Sequence, residues 1–207
     1  SSEVVFHKIY GRLERWTVAG KPYVTAGPEV TVYRATIDND MYKKDDWMNK
    51  YFIQKSSEQL EWFSYELSDE KAVVTMQKYF GCLNQSWGYV ATYEYTVYPC
   101  GQVKVHLDAK TVQNGKLEPA FLPRLGVVLR ADKSLQNTMW HGRGAGENYE
   151  DTLTACPIGV YRSTVDDMGT NYVFPQENGH REAVRWFSVG DGKNSMLCTM
   201  EAPYGIN

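Results

Sequence analysis

Residues 102–112, QVKVHLDAKTV, alternate almost perfectly between apolar and polar side chains. Val103, Val105, Leu107, Ala109 and Thr111 point one way. Lys104, His106, Asp108 and Lys110 point the other. A repeat of two residues gives a strand with one buried and one wet face, as in an antiparallel sheet. His106 therefore belongs to the wet face and does no chemistry. The preceding run, ATYEYTVYP (91–99), places Tyr93, Tyr95 and Val97 on one face and Thr92, Glu94, Thr96 and Tyr98 on the other. Pro99-Cys100-Gly101 is short enough to join the two runs as a hairpin. A second hairpin is predicted from LEWFSYELS (60–68), the turn SDEK and AVVTMQKYF (72–80).

Further strands are predicted near the start, where GRLERWTVAGKPYV reads as two short strands joined by Ala19-Gly20-Lys21. Residues 122–132 and 195–202 read as buried strands. Helix is confined to residues 45–54, with Asp45 as N-cap, and to a turn or two in 149–156. Many short strands with frequent turns define an all-β sandwich or barrel. Residues 1–207 read as one antiparallel β-rich domain. Its last residues, MLCTMEAPYGIN, stop just after a predicted strand, which gives the expectation of a truncated domain.

Composition narrows the function. The 207 residues are 43% hydrophobic and 14% aromatic, enough for a core. The 22 basic and 25 acidic residues give a net charge of −3 with no basic run. That argues against a nucleic-acid partner. No apolar run approaches the about 20 residues of a membrane helix, so no membrane partner is expected. The opening SSEVVFHKIYGRLERW lacks the apolar centre of a secretory signal. Cys82, Cys100, Cys156 and Cys198 form no C-x-x-C pair and are read as reduced and mostly buried. The four histidines lack the spacing of metal ligands, and no metal or cofactor is expected.

Three polar clusters stand out. In VYRATIDND (32–40), Arg34, Asp38, Asn39 and Asp40 follow a short apolar strand. An EF-hand would need a glycine and a distal glutamate that are missing here. The cluster reads as a turn whose carboxylates cap backbone groups and pair with Arg34, with an ion or ligand site (carbohydrate or domain interface) as the alternative. The second cluster, WHGRGAGENYEDT (140–152), gathers Trp140, His141, Arg143, Glu147, Asn148, Tyr149 and Asp151 around Gly142, Gly144 and Gly146. The glycines are read as tight turns with positive φ. The aromatic, amide and carboxylate mixture suits a sugar-binding surface or a domain interface.

The third cluster is NYVFPQENGHREAVRWF (171–187). Asn178-Gly179 is a strong type I′ hairpin signal. A hairpin there sets Glu177 opposite His180, Gln176 opposite Arg181, Phe174 opposite Ala183 and Val173 opposite Val184. Pro175 implies an edge or a departing strand. Sequence proximity would let Glu177 and His180 act as a general acid and base. A cross-strand Glu–His pair is more often a surface contact.

Together the clusters resemble the small-chain domain, the fifth and C-terminal one, of glycoside hydrolase family two β-galactosidases. Arg34-Ala35 followed by Asp38-Asn39-Asp40 resembles that family's R-A-P-x-D-N-D. Gly142 to Asp151 resembles G-x-G-P-x-E-N-Y-x-D. Tyr172 to Gly179, with Arg181 and then Val184-Arg185-Trp186, resembles Y-V-x-P-Q-E-x-G-x-R…V-R-W, and Tyr161 to Val165 lies between the last two. Thr36 and Ala145 stand where the family usually has proline, and Thr152 where arginine is common. The resemblance implies an antiparallel supersandwich of the galactose-mutarotase type. It also implies a longer parent that hydrolyses terminal β-D-galactosides with retention. Retention needs two carboxylates about 5 Å apart; in the family both lie on a TIM barrel outside this chain. No catalytic residue is therefore expected here. The expected partner is that barrel, whose cleft this domain helps to wall, with β-galactosides bound weakly at most. An aromatic that reaches the sugar is implied downstream of Asn207. Arg143, Glu147, Asn148, Tyr149, Gln176, Glu177 and Arg181 are expected to make interfacial hydrogen bonds. The alternatives are a stand-alone carbohydrate-binding module and a mutarotase-like enzyme that uses Glu177 with His180 or Glu147 with His141.

Overall fold

The structure is a computed structural model and describes residues 1–113, 119 and 121–207. Among them twelve strands form three four-stranded antiparallel sheets, and helix is limited to pieces of three to six residues. The fold is an all-β antiparallel sandwich, as the alternation predicts. The chain divides into two compact units, Ser1–Ala131 and Asp132–Asn207.

The first unit starts with β1 (Ser2–His7), β2 (Arg12–Val18) and β3 (Lys21–Thr31). Next come β4 (Ser57–Leu67), β5 (Ala72–Gly81), β6 (Trp87–Val97) and β7 (Val103–Gln113), a meander in sequence order. β8 (Gly126–Ala131) returns to pair with β3, giving the order β1-β2-β3-β8. Both predicted hairpins of the meander form. Tyr98 N–H bonds the Gln102 carbonyl at one turn and Ser68 N–H bonds that of Lys71 at the other.

Phe6 of β1 packs edge-on against Tyr95 of β6, and the Val30 N–H of β3 donates to the Tyr93 hydroxyl. The two sheets therefore face each other. Along β5 the inward positions are Val74, Met76, Lys78 and Phe80; across from them on β6 lie Ala91, Tyr93 and Tyr95. Removing each large apolar side chain from water contributes about 1.5–3 kcal/mol. Lys78 shares this apolar parity and is 1% exposed. Its ammonium meets Glu58 Oε2 at 2.7 Å and lies 4.4 Å from the Tyr93 ring centre. Glu58 also accepts from Val30 N–H and from the Tyr93 hydroxyl. Burial, reinforced by the Glu58 charge, pushes the Tyr93 and Tyr95 hydroxyls well above the usual tyrosine range.

The second unit holds β9 (Asn137–Arg143), β10 (Ile158–Thr164), β11 (Arg181–Gly190) and β12 (Ser195–Ile206) in the order β10-β9-β11-β12. The register aligns Tyr161, Trp140, Phe187 and Cys198 on one face. The other face carries Val160, His141, Trp186 and Thr199.

Several expectations change. Residues 122–132 and 195–202 were expected to be buried strands. β8 is shorter at both ends, β12 starts at Ser195 as expected but runs on to Ile206, and most positions of both are at least partly exposed. Each is a sheet edge, so neighbours flank it on one side only. Residues 45–54 supply a wide helical turn, Asp46–Lys50, in which Tyr51 N–H reaches the Asp46 carbonyl, and the start of a tighter turn, Ile53–Lys55. Asp45 makes no side-chain cap there; its carboxylate accepts from Asn49 instead. All four cysteines are free, but only Cys82 is buried, and Cys100 is exposed at its turn.

Candidate functional site

The second unit concentrates two of the three polar clusters. Trp140 to Arg143, expected in a loop, are the end of β9. The three nearby glycines do not have positive φ. At two of them the role is close approach: a Cβ on Gly142 would stand 2.8 Å from Val184, and one on Gly144 2.6 Å from the Tyr161 ring, whereas Gly146 faces open space. Gly142 lets β9 and β11 converge around Trp140, which is 1% exposed.

Arg181 opens β11 and lies over Trp140, with its guanidinium carbon 5.3 Å from the ring centre. Such a contact contributes about 0.5–2 kcal/mol. Arg181 donates to the carbonyls of Ala145 and Gly179 at 3.2 and 2.8 Å. Burial lowers its pKa, against the opposing influence of the Glu147 charge. Arg143 donates to the Leu153 and Cys156 carbonyls and so closes the turn Glu150–Ala155. Asp151 is an exposed residue of that turn. Asn148 is fully buried. Its side chain donates to the Gly146 carbonyl at 3.0 Å and accepts from Glu182 N–H at 2.8 Å, while its own N–H bonds the His180 carbonyl.

Glu147 ties the two loops together. One carboxylate oxygen accepts from Gly179 N–H at 2.7 Å and the other from the Tyr172 hydroxyl. That hydrogen bond is the main reason the Tyr172 hydroxyl is pushed up to about 12. The His180 ring stacks on Tyr149, with centres 5.2 Å apart. Its nitrogens meet Asn207 Oδ1 at 2.5 Å and Glu182 Oε1 at 2.9 Å. Asn207 also donates to Glu177 and to the Asn178 carbonyl.

The predicted hairpin at Asn178-Gly179 does not form. Only Gly179 has positive φ, +83°, and residues 171–180 contain no strand. The Asn178 side chain accepts from Thr170 N–H and donates to the Gln176 carbonyl, and Glu147 takes the Gly179 N–H. Side-chain partners from elsewhere in the chain outcompete the local turn. Gln176 and Glu177 therefore do not face Arg181 and His180 across a ladder. Arg181 is instead registered with Ile206, and Val184 with Tyr204. Phe174 and Val173 remain exposed in the loop.

In the first unit, Arg34 and Asp40 form the expected pair. Two guanidinium nitrogens meet the two Asp40 oxygens at 2.5 and 3.0 Å. Asp40 also accepts from Ile37 N–H, and Arg34 donates to the Pro123 carbonyl. Asp38 and Asn39 are exposed on the same short turn.

A family model described as beta galactosidase small chain matches residues 1–204. The chain belongs to the beta-galactosidase small-chain family. Its relatives include the protein named beta-galactosidase in Vibrio cholerae, 28% identical over 89% of this chain and 19% of the relative. Those so named in Lactobacillus delbrueckii subsp. bulgaricus and Kluyveromyces lactis are 29% and 27% identical. The matches cover 95% and 98% of this chain, but only 19% and 20% of the relatives. The chain thus spans about a fifth of the length of the relatives it matches.

Within this small-chain segment, the family-like motifs form an internal frame. Arg143 bonds to backbone groups of its own segment, while Glu147, Asn148 and Arg181 also bond across between the 140–151 and 172–182 segments. His141 sits on the other face of β9, with its ring 6.2 Å from that of Trp186, while Glu147 is engaged by Tyr172 and Gly179. Among the described residues, no three His, Cys, Asp or Glu side chains converge as metal ligands would. No described helix is long and apolar enough to cross a membrane. Sequence reading missed Tyr172 and Glu182 as members of the cluster. Tyr172 lay inside a quoted motif. Glu182 gave no signal, because its backbone N–H and its contact with His180 place it there.

Proposed function

We propose that this segment is an auxiliary module of a β-galactosidase that hydrolyses terminal β-D-galactosides with retention. In this reading the acid/base and nucleophile glutamates, set about 5 Å apart as retention demands, lie in the remainder of a longer polypeptide. The observation that carries the reading is one of coverage. Nearly the whole segment aligns with proteins named beta-galactosidase, yet it accounts for about a fifth of each. The inward-turned polar clusters support it as well. They stiffen the loops at 140–151 and 172–181, which are taken to meet the catalytic TIM barrel and to help wall its cleft.

The test compares three polypeptides on a chromogenic β-galactoside: the full-length protein, the protein lacking this segment, and the segment alone. Hydrolysis by the first and its loss in the other two is the expected result. Hydrolysis by the segment alone overturns the reading. Full activity without the segment removes the auxiliary role.

A further inference from the structure

The loop between β10 and β11 presents an apolar tip. Val173 is 93% exposed and Phe174 79%. Their surroundings hold the tip in place. Tyr172, the residue before them, is tied to Glu147 through its hydroxyl. Behind them Pro175 restricts the backbone, Asn178 bonds Thr170 N–H and the Gln176 carbonyl, and Gly179 is anchored on Glu147. A polar frame thus fixes two adjacent side chains that water disfavours. Preorganised apolar groups bind without further ordering cost.

We propose that Val173 and Phe174 are the contact by which this module docks, inserting into an apolar socket on the remainder of the same longer polypeptide. The proposal rests on the docking reading above and moves the contact from the polar motif residues to the apolar tip. Size decides the occupant. A stable complex between free proteins needs roughly 1,200–2,000 Å² of buried surface, far more than two side chains supply. A partner on the same chain is held at high effective concentration and needs no such area. About four-fifths of the length of each relative lies outside the matched part, so the chain to provide a socket is present in them.

The experiment uses the full-length protein carrying Phe174→Cys, with exposed Cys100 replaced by serine, and follows maleimide labelling of the residue-174 peptide by mass spectrometry. Labelling at least about tenfold slower than that of glutathione is expected, as for a residue that reacts only when its contact opens. A rate close to that of glutathione overturns the proposal. Slow labelling that is lost on dilution assigns the socket to a second copy and also overturns it. Hydroxyl-radical oxidation of Phe174 in the unsubstituted full-length protein gives the same readout without a substitution. Protection relative to the urea-unfolded chain is expected, and equal oxidation overturns the proposal. Because neither readout is activity, a fully accessible Phe174 in a protein that still needs the segment for hydrolysis would refute the tip contact alone.

Discussion

Replacing Asn148 by alanine tests whether the motif frame is internal. The side chain is fully buried and makes two hydrogen bonds, to the Gly146 carbonyl and from Glu182 N–H. Gly146 is exposed, so its carbonyl regains water after the substitution. Glu182 N–H loses its acceptor inside the cluster. Leaving one buried donor unmet costs about 1–3 kcal/mol, and the small void adds to this. The expected loss is about 2–3 kcal/mol. Asn148→Asp restores the acceptor for Glu182 N–H but buries a carboxylate beside the Gly146 carbonyl, and is expected to be no more stable than the alanine variant. Urea unfolding of the chain measures both; a lower midpoint at constant slope reports lost stability. A loss below about 0.5 kcal/mol, the range of ordinary surface substitutions, refutes the internal frame. An interfacial Asn148 would behave in that way in the isolated chain.

Lys78→Met should cost about 3–5 kcal/mol, because it strands Glu58 in the sandwich; adding Glu58→Gln should recover part of that loss in the same unfolding assay. Ala19 has φ +51° and Gly20 +78° in the β2–β3 turn, a conformation that favours asparagine over alanine at the first position. Ala19→Asn should therefore stabilise the chain by a part of the about 1–2 kcal/mol that the left-handed conformation costs an alanine, read as a raised urea midpoint. The Tyr172 hydroxyl, held up to about 12 chiefly by Glu147, retains its proton in the folded loop above the ordinary tyrosine value of 10.0. Its stabilising contribution is fully present below pH 10 and is lost as the pH rises through about 12. Spectrophotometric titration should show, beside the buried Tyr93 and Tyr95, one further late-ionising tyrosine, and that one should return to the ordinary range in Glu147→Gln.

The meander was legible because hydropathy alternates along its strands, but only β5 and β6 bury a face; β4 and the described positions of β7 stay at least partly exposed, Val105 among them. Parity alone places Tyr93 and Tyr95 inward, and it would also have placed Lys78 there. β9 and β10 were hard to read for the opposite reason. Gly142 interrupts β9, where the chain approaches β11 closely, and β10 offers no alternation of hydropathy to follow. The error at Asn178-Gly179 has a single cause. The dipeptide has the right local chemistry for a hairpin, but Glu147 and Thr170 claim its hydrogen-bonding groups. Local propensity is weak beside partners that only the fold brings near. The Arg34–Asp40 pair was legible because six residues of separation within a turn leave the two charges few other choices.

The inward orientation of Glu147, Asn148 and Arg181 bears on how such motifs are used to assign activity. Letters that serve to brace a scaffold persist for as long as the scaffold does, whether or not a hydrolytic neighbour is still attached. A genome survey built on this fingerprint therefore counts shapes, and a count of working glycosidases has to be taken from residues elsewhere.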